Sequence, residues 1–182
     1  MNVYQKVSTA VALFLYLPLA LQILNGEVTQ NLATWILWGT LDGIAAASMF
    51  RKGGNWHLPT AYVAGSVFTL VCMINKHIFA WTWFETLICF MVVACVVGWK
   101  MSGSTLATIL SSIGTALAGV PQLKDAIADP TAMPFEIYLG FLGVNILSVK
   151  GGKDWSIKER FYPICCGVIC VAIVVASARK FF

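Results

Sequence analysis

The chain has 182 residues, of which 59% are hydrophobic and 11% charged, with twelve bases against eight acids and a mean hydropathy of +0.80. So few charges cannot cover the surface of a water-soluble domain of this length, whereas lipid-facing helices need no such cover. The balance excludes a soluble globular protein, and a net charge of +4 spread over short loops suggests no nucleic-acid role.

Seven apolar runs are long enough to span a bilayer, and helices are predicted at about residues 5–24, 32–50, 57–74, 79–99, 104–124, 135–149 and 162–179. The first has no clearly basic segment before it and no small-residue cleavage site after it. Leu21-Gln22-Ile23-Leu24 leads straight into Asn25-Gly26, so the run reads as a retained helix. It carries Pro18 near its end. The second carries Trp35, Trp38 and Asp42; the acid lies about ten residues in, near 15 Å along the axis and about mid-bilayer. The fourth opens with Trp81-Thr82-Trp83-Phe84-Glu85, where tryptophans mark the interface and Glu85 reads as a headgroup-level acid. Pro121-Gln122 stands towards the end of the fifth run, followed by Lys124 and Asp125, whose charges suit a solvated helix end. The sixth follows Met133-Pro134-Phe135, has Glu136 in its first turn, and carries Tyr138, Phe141 and Asn145. Connections between runs are brief, so no soluble domain is inserted between them.

All six cysteines, Cys72, Cys89, Cys95, Cys165, Cys166 and Cys170, fall inside apolar runs, where a thiol behaves as a small hydrophobe. Neighbours such as Cys165 and Cys166 point to different helix faces, and His57 and His77 lie at separate loop ends. Neither a metal site nor a cofactor is expected. No nucleophile and base stand at workable spacing, so an enzyme is not expected.

Pro18 and Pro121 lie 103 residues apart, and each is followed 24 residues later by a polar side chain within an apolar run, Asp42 and Asn145. On the same offset Trp35 meets Tyr138 and Trp38 meets Phe141; after a five-residue shortening, Lys52-Gly53-Gly54 meets Lys150-Gly151-Gly152. The pattern predicts an all-α membrane protein of seven transmembrane helices: two parallel three-helix repeats, residues 1–78 and 104–182, joined by a linker helix at 79–103.

Three spans, a linker and three more, with a proline near the end of each repeat's first helix, Pro121-Gln122 intact and Met133-Pro134-Phe135 opening helix six, resembles the SWEET and PQ-loop transporter superfamily. The resemblance covers essentially the whole chain; in the first repeat the dipeptide is Pro18-Leu19. It implies alternating access between two triple-helix bundles, with Pro18, Pro121 and Gln122 at the hinges. Physically, proline removes a backbone donor and bends a helix, which serves equally as a hinge or as a static kink. The SWEET sugar site also draws an asparagine from the third helix of each repeat, and neither helix three nor helix seven here has one in its interior. Helix three offers Tyr62 and Ser66 instead, and helix seven Tyr162, Cys165 and Cys166. Amino acids and vitamin precursors therefore stand beside sugars as candidate solutes.

An acid at mid-bilayer depth costs about 2.5 to 3.5 kcal/mol on insertion scales and must face the protein interior or a water-filled cavity. Trp38 precedes Asp42 by four residues and Phe141 precedes Asn145 by four, so a ring and a polar group share one helix face in each half. With Trp35 and Tyr138 they form the expected substrate cradle. Asp42 is a candidate proton carrier, a partner for a cationic solute, or a buried structural acid held by hydroxyls.

Eight bases lie on the N-terminal side of the spans, Lys6, Arg51 and Lys52 among them, against Lys76, Lys124, Arg179 and Lys180 opposite. The charge count puts the N-terminus in the cytoplasm; the resemblance implies the reverse. The expected protein is a multi-pass transporter of the cell (inner) membrane whose partners are a small-molecule solute, the lipid bilayer and, through Asp42, protons. The scaffold admits an oligomer. The alternative is a non-transporting seven-helix receptor or trafficking protein on the same scaffold, for which Lys124, Asp125 and Glu136 are the candidate pocket charges.

Overall fold

The computed structural model describes residues 1–28, 30, 32–74 and 83–182, with the backbone alone at Phe84 and Glu85. The start of the predicted fourth run and the Glu85 side chain lie outside the described residues. Among those residues there are eight α-helices and no strand: α1 Val3–Asn25, α2 Leu32–Arg51, α3 His57–Ile74, α4 Trp83–Ser102, α5 Ser104–Ala118, α6 Val120–Ala128, α7 Phe135–Lys150 and α8 Tyr162–Ala178.

The helices are inside-out compared with those of soluble proteins. On α1, Val3, Val7, Val11, Phe14, Leu17 and Leu21 are exposed at spacings of three or four, while Gln5, Ser8, Ala12 and Tyr16 are buried on the other face. On α8, Ile164, Val168, Val171 and Val175 are exposed, with Cys166, Cys170 and Ser177 buried. An apolar outside and a polar inside fit a lipid solvent. Four helical stretches among the described residues are long and apolar enough to cross a membrane: Val3–Asn25, His57–Ile74, Ser104–Ala128 and Ile157–Phe181. Thr86–Ser102 is a shorter apolar helix. These features are those of an all-α membrane protein.

Local chemistry sets the helix ends. Asn2 Oδ1 accepts from Gln5 N at 3.0 Å and Gln5 Oε1 accepts from Asn2 N at 3.1 Å, a reciprocal cap that starts α1. Gly26, at φ 77°, ends it in the left-handed region. The predicted fifth run is divided. Pro121 has no N–H for a carbonyl one turn back, and the chain breaks at Gly119, so α5 stops and α6 starts anew. By contrast α1 runs unbroken through Pro18. The two prolines expected to act as equivalent bends thus sit in unlike backbones. The last helix begins earlier than expected, because Ile157–Phe161 winds into a π-helical turn that leads directly into α8.

Within the N-terminal half α3 packs between α1 and α2; within the C-terminal half α8 packs between α5 and α7. The halves meet where α1 lies on α7 and α2 lies on α5, while α4 lies against α5 and α2. Each crossing has a leucine over a glycine: a Cβ on Gly140 of α7 would come 2.7 Å from Leu15, and one on Gly114 of α5 would come 3.0 Å from Leu41. Small residues allow this approach where no hydrophobic force drives helices together in lipid. At α2 and α5, Ser48 Oγ and Thr108 Oγ1 add a hydrogen bond of 2.8 Å.

At the end of the molecule that carries the N-terminus, polar bonds tie the halves. Asn2 Nδ2 donates to Gly151 O at 2.6 Å, Asn55 Nδ2 donates to Ser148 Oγ at 3.0 Å, and Asn55 N donates to Lys158 O at 3.0 Å.

A Cβ on Gly65 of α3 would strike the buried ring of Tyr16, whereas one on Gly143 of α7 meets nothing within 4 Å. Gly65→Ala is therefore expected to destabilise the fold by about 1 to 3 kcal/mol. Gly143→Ala should be neutral or slightly stabilising. Thermal unfolding of both variants in detergent, followed by circular dichroism, checks the contrast.

Candidate functional site

Six helices, α1, α2, α3, α5, α7 and α8, contribute to one cavity between the halves, with about 60 Å3 of water-accessible space. That is room for several waters or the core of a small solute. Each of the six residues expected to form the cradle, Trp35, Trp38, Asp42, Tyr138, Phe141 and Asn145, lines it. Three come from α2 and three from α7. The helical period explains this. Positions 35, 38 and 42 on α2, and 138, 141 and 145 on α7, recur at intervals of three and four, so each trio forms one inward stripe.

Sequence reasoning did not single out Tyr16, Thr115, Tyr62, Tyr162, Cys166 and Cys170 as site residues. Tyr16 belongs to the buried face of α1 that also carries Ser8 and Ala12, at four-residue intervals. Thr115 ends a buried polar stripe on α5 that includes Ser104, Thr108 and Ser111. Such stripes in otherwise apolar helices were the available signal.

Asp42 is 3% exposed. Its Oδ1 accepts from Tyr162 OH at 2.7 Å and from Thr115 Oγ1 at 3.2 Å. Both donors come from the other half of the chain. Asn145 is held in the converse way: Nδ2 donates to Tyr62 OH of α3 at 3.0 Å, and also to Phe141 O one turn back at 2.9 Å. The tyrosine of the last helix in each half thus reaches the polar head of the second helix in the other. Tyr62 and Tyr162 are themselves neighbours, with ring centroids 6.2 Å apart. Asn145 Oδ1 and Tyr138 OH are buried and have no hydrogen-bond partner among the described residues.

The rings make a continuous wall. Tyr16 meets Phe141 at 5.2 Å and Trp35 at 6.0 Å, Trp35 meets Trp38 at 5.1 Å, and Tyr62 meets Phe141 at 5.7 Å. Trp38 is anchored by Nε1 donating to Thr115 O at 2.9 Å, and Trp35 by Nε1 donating to Gln30 Oε1 at 3.2 Å. Buried aromatic side chains with both indole groups satisfied form a rigid surface.

The expected hinge residues stand apart from the cavity lining. Pro18 and Pro121 are half-buried, and Gln122 is buried, with Nε2 3.1 Å from Met133 Sδ and Oε1 unpartnered. Gln122 therefore ties α6 to the segment that precedes α7. Among the other charges, Glu136 is exposed and paired with Lys180 at 3.4 Å, and Lys124 and Asp125 are exposed. Among the described residues no group of histidine, cysteine and acidic side chains is arranged to hold a metal.

Comparison of the chain with protein-family models, curated proteins and solved structures gives no match.

Because the Tyr162 hydroxyl is the shortest donor to a buried carboxylate, Tyr162→Phe is expected to cost about 1 to 3 kcal/mol. Tyr4→Phe, on the exposed face of α1, should stay within about 0.5 kcal/mol of the parent protein. Denaturant or thermal unfolding in detergent reads both.

Proposed function

We propose that the chain is a multi-pass transporter of a small polar solute in the cell (inner) membrane, working by alternating access between two triple-helix bundles at residues 1–78 and 104–182. The observation that carries this reading is the cavity itself. It is enclosed by six helices drawn equally from both halves, and its polar heads Asp42 and Asn145 each hydrogen bond across the divide. A site whose walls belong to two bodies opens when the bodies tilt apart.

Three further features support it. The packing order α1, α3, α2 in one half matches α5, α8, α7 in the other, and the crossings α1 on α7 and α2 on α5 are reciprocal, as two parallel repeats would require. The pairs Trp35 and Tyr138, Trp38 and Phe141, and Asp42 and Asn145 share one offset in the sequence and one cavity in space. The resemblance to the SWEET and PQ-loop superfamily points the same way, with α2 and α7 as the second and sixth of seven spans and α5 and α6 together as the fifth.

In the cycle so read, the bonds of Asn2, Asn55, Ser148 and Gly151 close the N-terminal end in this conformation and break when the bundles part there. The break at Gly119 beside Pro121 supplies a hinge in the second bundle. Asp42, the acid of the cavity, is where proton coupling enters: a proton and a solute share one carboxylate.

Proteoliposomes holding the full chain should accumulate at least one solute from a panel of amino acids, sugars, nucleosides and organic cations. Asp42→Asn should abolish the response of uptake to a pH gradient; an unchanged response would remove the proton carrier from the scheme. A Cβ on Gly151 would lie 3.1 Å from the Tyr4 Cβ, close to the roughly 3.5 to 4.5 Å of a disulfide. With the native cysteines replaced, the pair Tyr4→Cys and Gly151→Cys should stop uptake on oxidation and restore it on reduction. Full uptake with the cross-link formed would defeat the alternating-access reading.

A further inference from the structure

Resting on the transport reading above, we infer that the solute is a small organic cation with a quaternary ammonium head and a short hydroxyl-bearing tail, bound between the Asp42 carboxylate and the aromatic wall.

Charge comes first. Asp42 faces the cavity, and among the described residues no lysine, arginine or histidine lines it. The donors to its Oδ1 are two neutral hydroxyls, and the one ion pair among the described residues, Lys180 with Glu136, lies at the surface. A buried carboxylate with hydrogen bonds but no counter-charge is half of an ion pair. The missing half is a cation delivered from outside.

Shape and surface come next. Six of the fourteen lining residues are aromatic, Tyr16, Trp35, Trp38, Tyr62, Tyr138 and Phe141. Neighbouring rings meet edge to face rather than stack: the planes of Tyr16 and Trp35 meet at 71°, those of Trp35 and Trp38 at 88°, and those of Tyr62 and Phe141 at 86°. Rings set around a space in this way attract a cation through their quadrupoles, most effectively one that is desolvated. A quaternary head needs no hydrogen-bond acceptors, whereas an ammonium with three N–H groups is strongly hydrated and must find a partner for each. Beside Asp42 the lining is mostly rings and apolar side chains, which suits the first better than the second.

Asn145 Oδ1, which has no hydrogen-bond partner among the described residues, gives the tail its place. A hydroxyl on the tail can donate to this amide oxygen and satisfy a buried acceptor. The cavity is small in this conformation, about 60 Å3 of water-accessible space, which favours a small solute.

The test compares choline with 3,3-dimethylbutan-1-ol, the neutral compound in which carbon replaces the charged nitrogen. Titration of the purified full chain in detergent, followed by tryptophan fluorescence, should give saturable binding of choline at least about tenfold tighter than of the alcohol. Asp42→Asn should erase that preference. Phe141→Leu, which keeps the site apolar but removes a ring, should weaken choline and leave the alcohol unchanged; it carries the test if Asp42→Asn fails to fold. Equal affinity for the two compounds, or no binding of choline, overturns the inference. Uptake separates it from the reading beneath. Proteoliposomes that take up a neutral solute but not choline would sink the cation assignment and leave transport standing. Choline binding without uptake of any solute would sink transport and leave the site.

Discussion

The burial of one carboxylate governs this structure. Asp42 sits about halfway along an apolar helix, where among the described residues no charged side chain is bonded to it, and an unsatisfied acid at that depth is expensive. Its donors, Thr115 and Tyr162, come from α5 and α8, so α2 is fixed against both helices of the other half. Asn145 repeats the arrangement from α7 to Tyr62 of α3. Around the cavity the halves therefore meet through polar heads exchanged across it, with aromatic rings forming much of the remaining wall.

Glycine sets how closely those rings can stand. Tyr16 lies directly against α3 at Gly65, and Leu15 and Leu41 cross over Gly140 and Gly114. In water such contacts would be one part of a larger apolar burial. In lipid, where the surrounding chains are as apolar as leucine, close backbone approach and interhelical hydrogen bonds must supply the association. The buried serines and threonines of α5 serve the same end, and most are also satisfied by their own helix: Thr108 Oγ1 donates to Ser104 O at 2.9 Å and Ser112 Oγ to Thr108 O at 2.6 Å.

Much of this was legible from the residues. Helix extents followed from apolar runs, and the inward stripes of α2 and α7 followed from the spacing of Trp35, Trp38 and Asp42 and of Tyr138, Phe141 and Asn145, since a mid-span polar group marks the inner face of its own helix. What one helix's sequence does not contain is the rotation of its neighbours, so the crossed tyrosines were not foreseen, although the Lys-Gly-Gly register brings Tyr62 within two residues of Tyr162. The break at Gly119 was hidden because proline alone does not say whether a helix bends or ends; Pro18 and Pro121 took different courses. Lys158-Glu159-Arg160 precedes the last predicted run, yet Glu159 is buried, its Oε2 accepting from Lys153 N at 3.1 Å, and the segment winds into the start of the last helix.

The crossed hydrogen bonds also bear on biosynthesis. Thr115 follows Asp42 by 73 residues and Tyr162 follows it by 120. At about 5 to 20 residues per second, a ribosome needs roughly 6 to 24 s to deliver that tyrosine after the aspartate has been made. Throughout that interval the acid belongs to a half-finished protein that lacks its shortest native donor. The second helix must wait at the insertion site, or keep its acid wet, until the last one arrives.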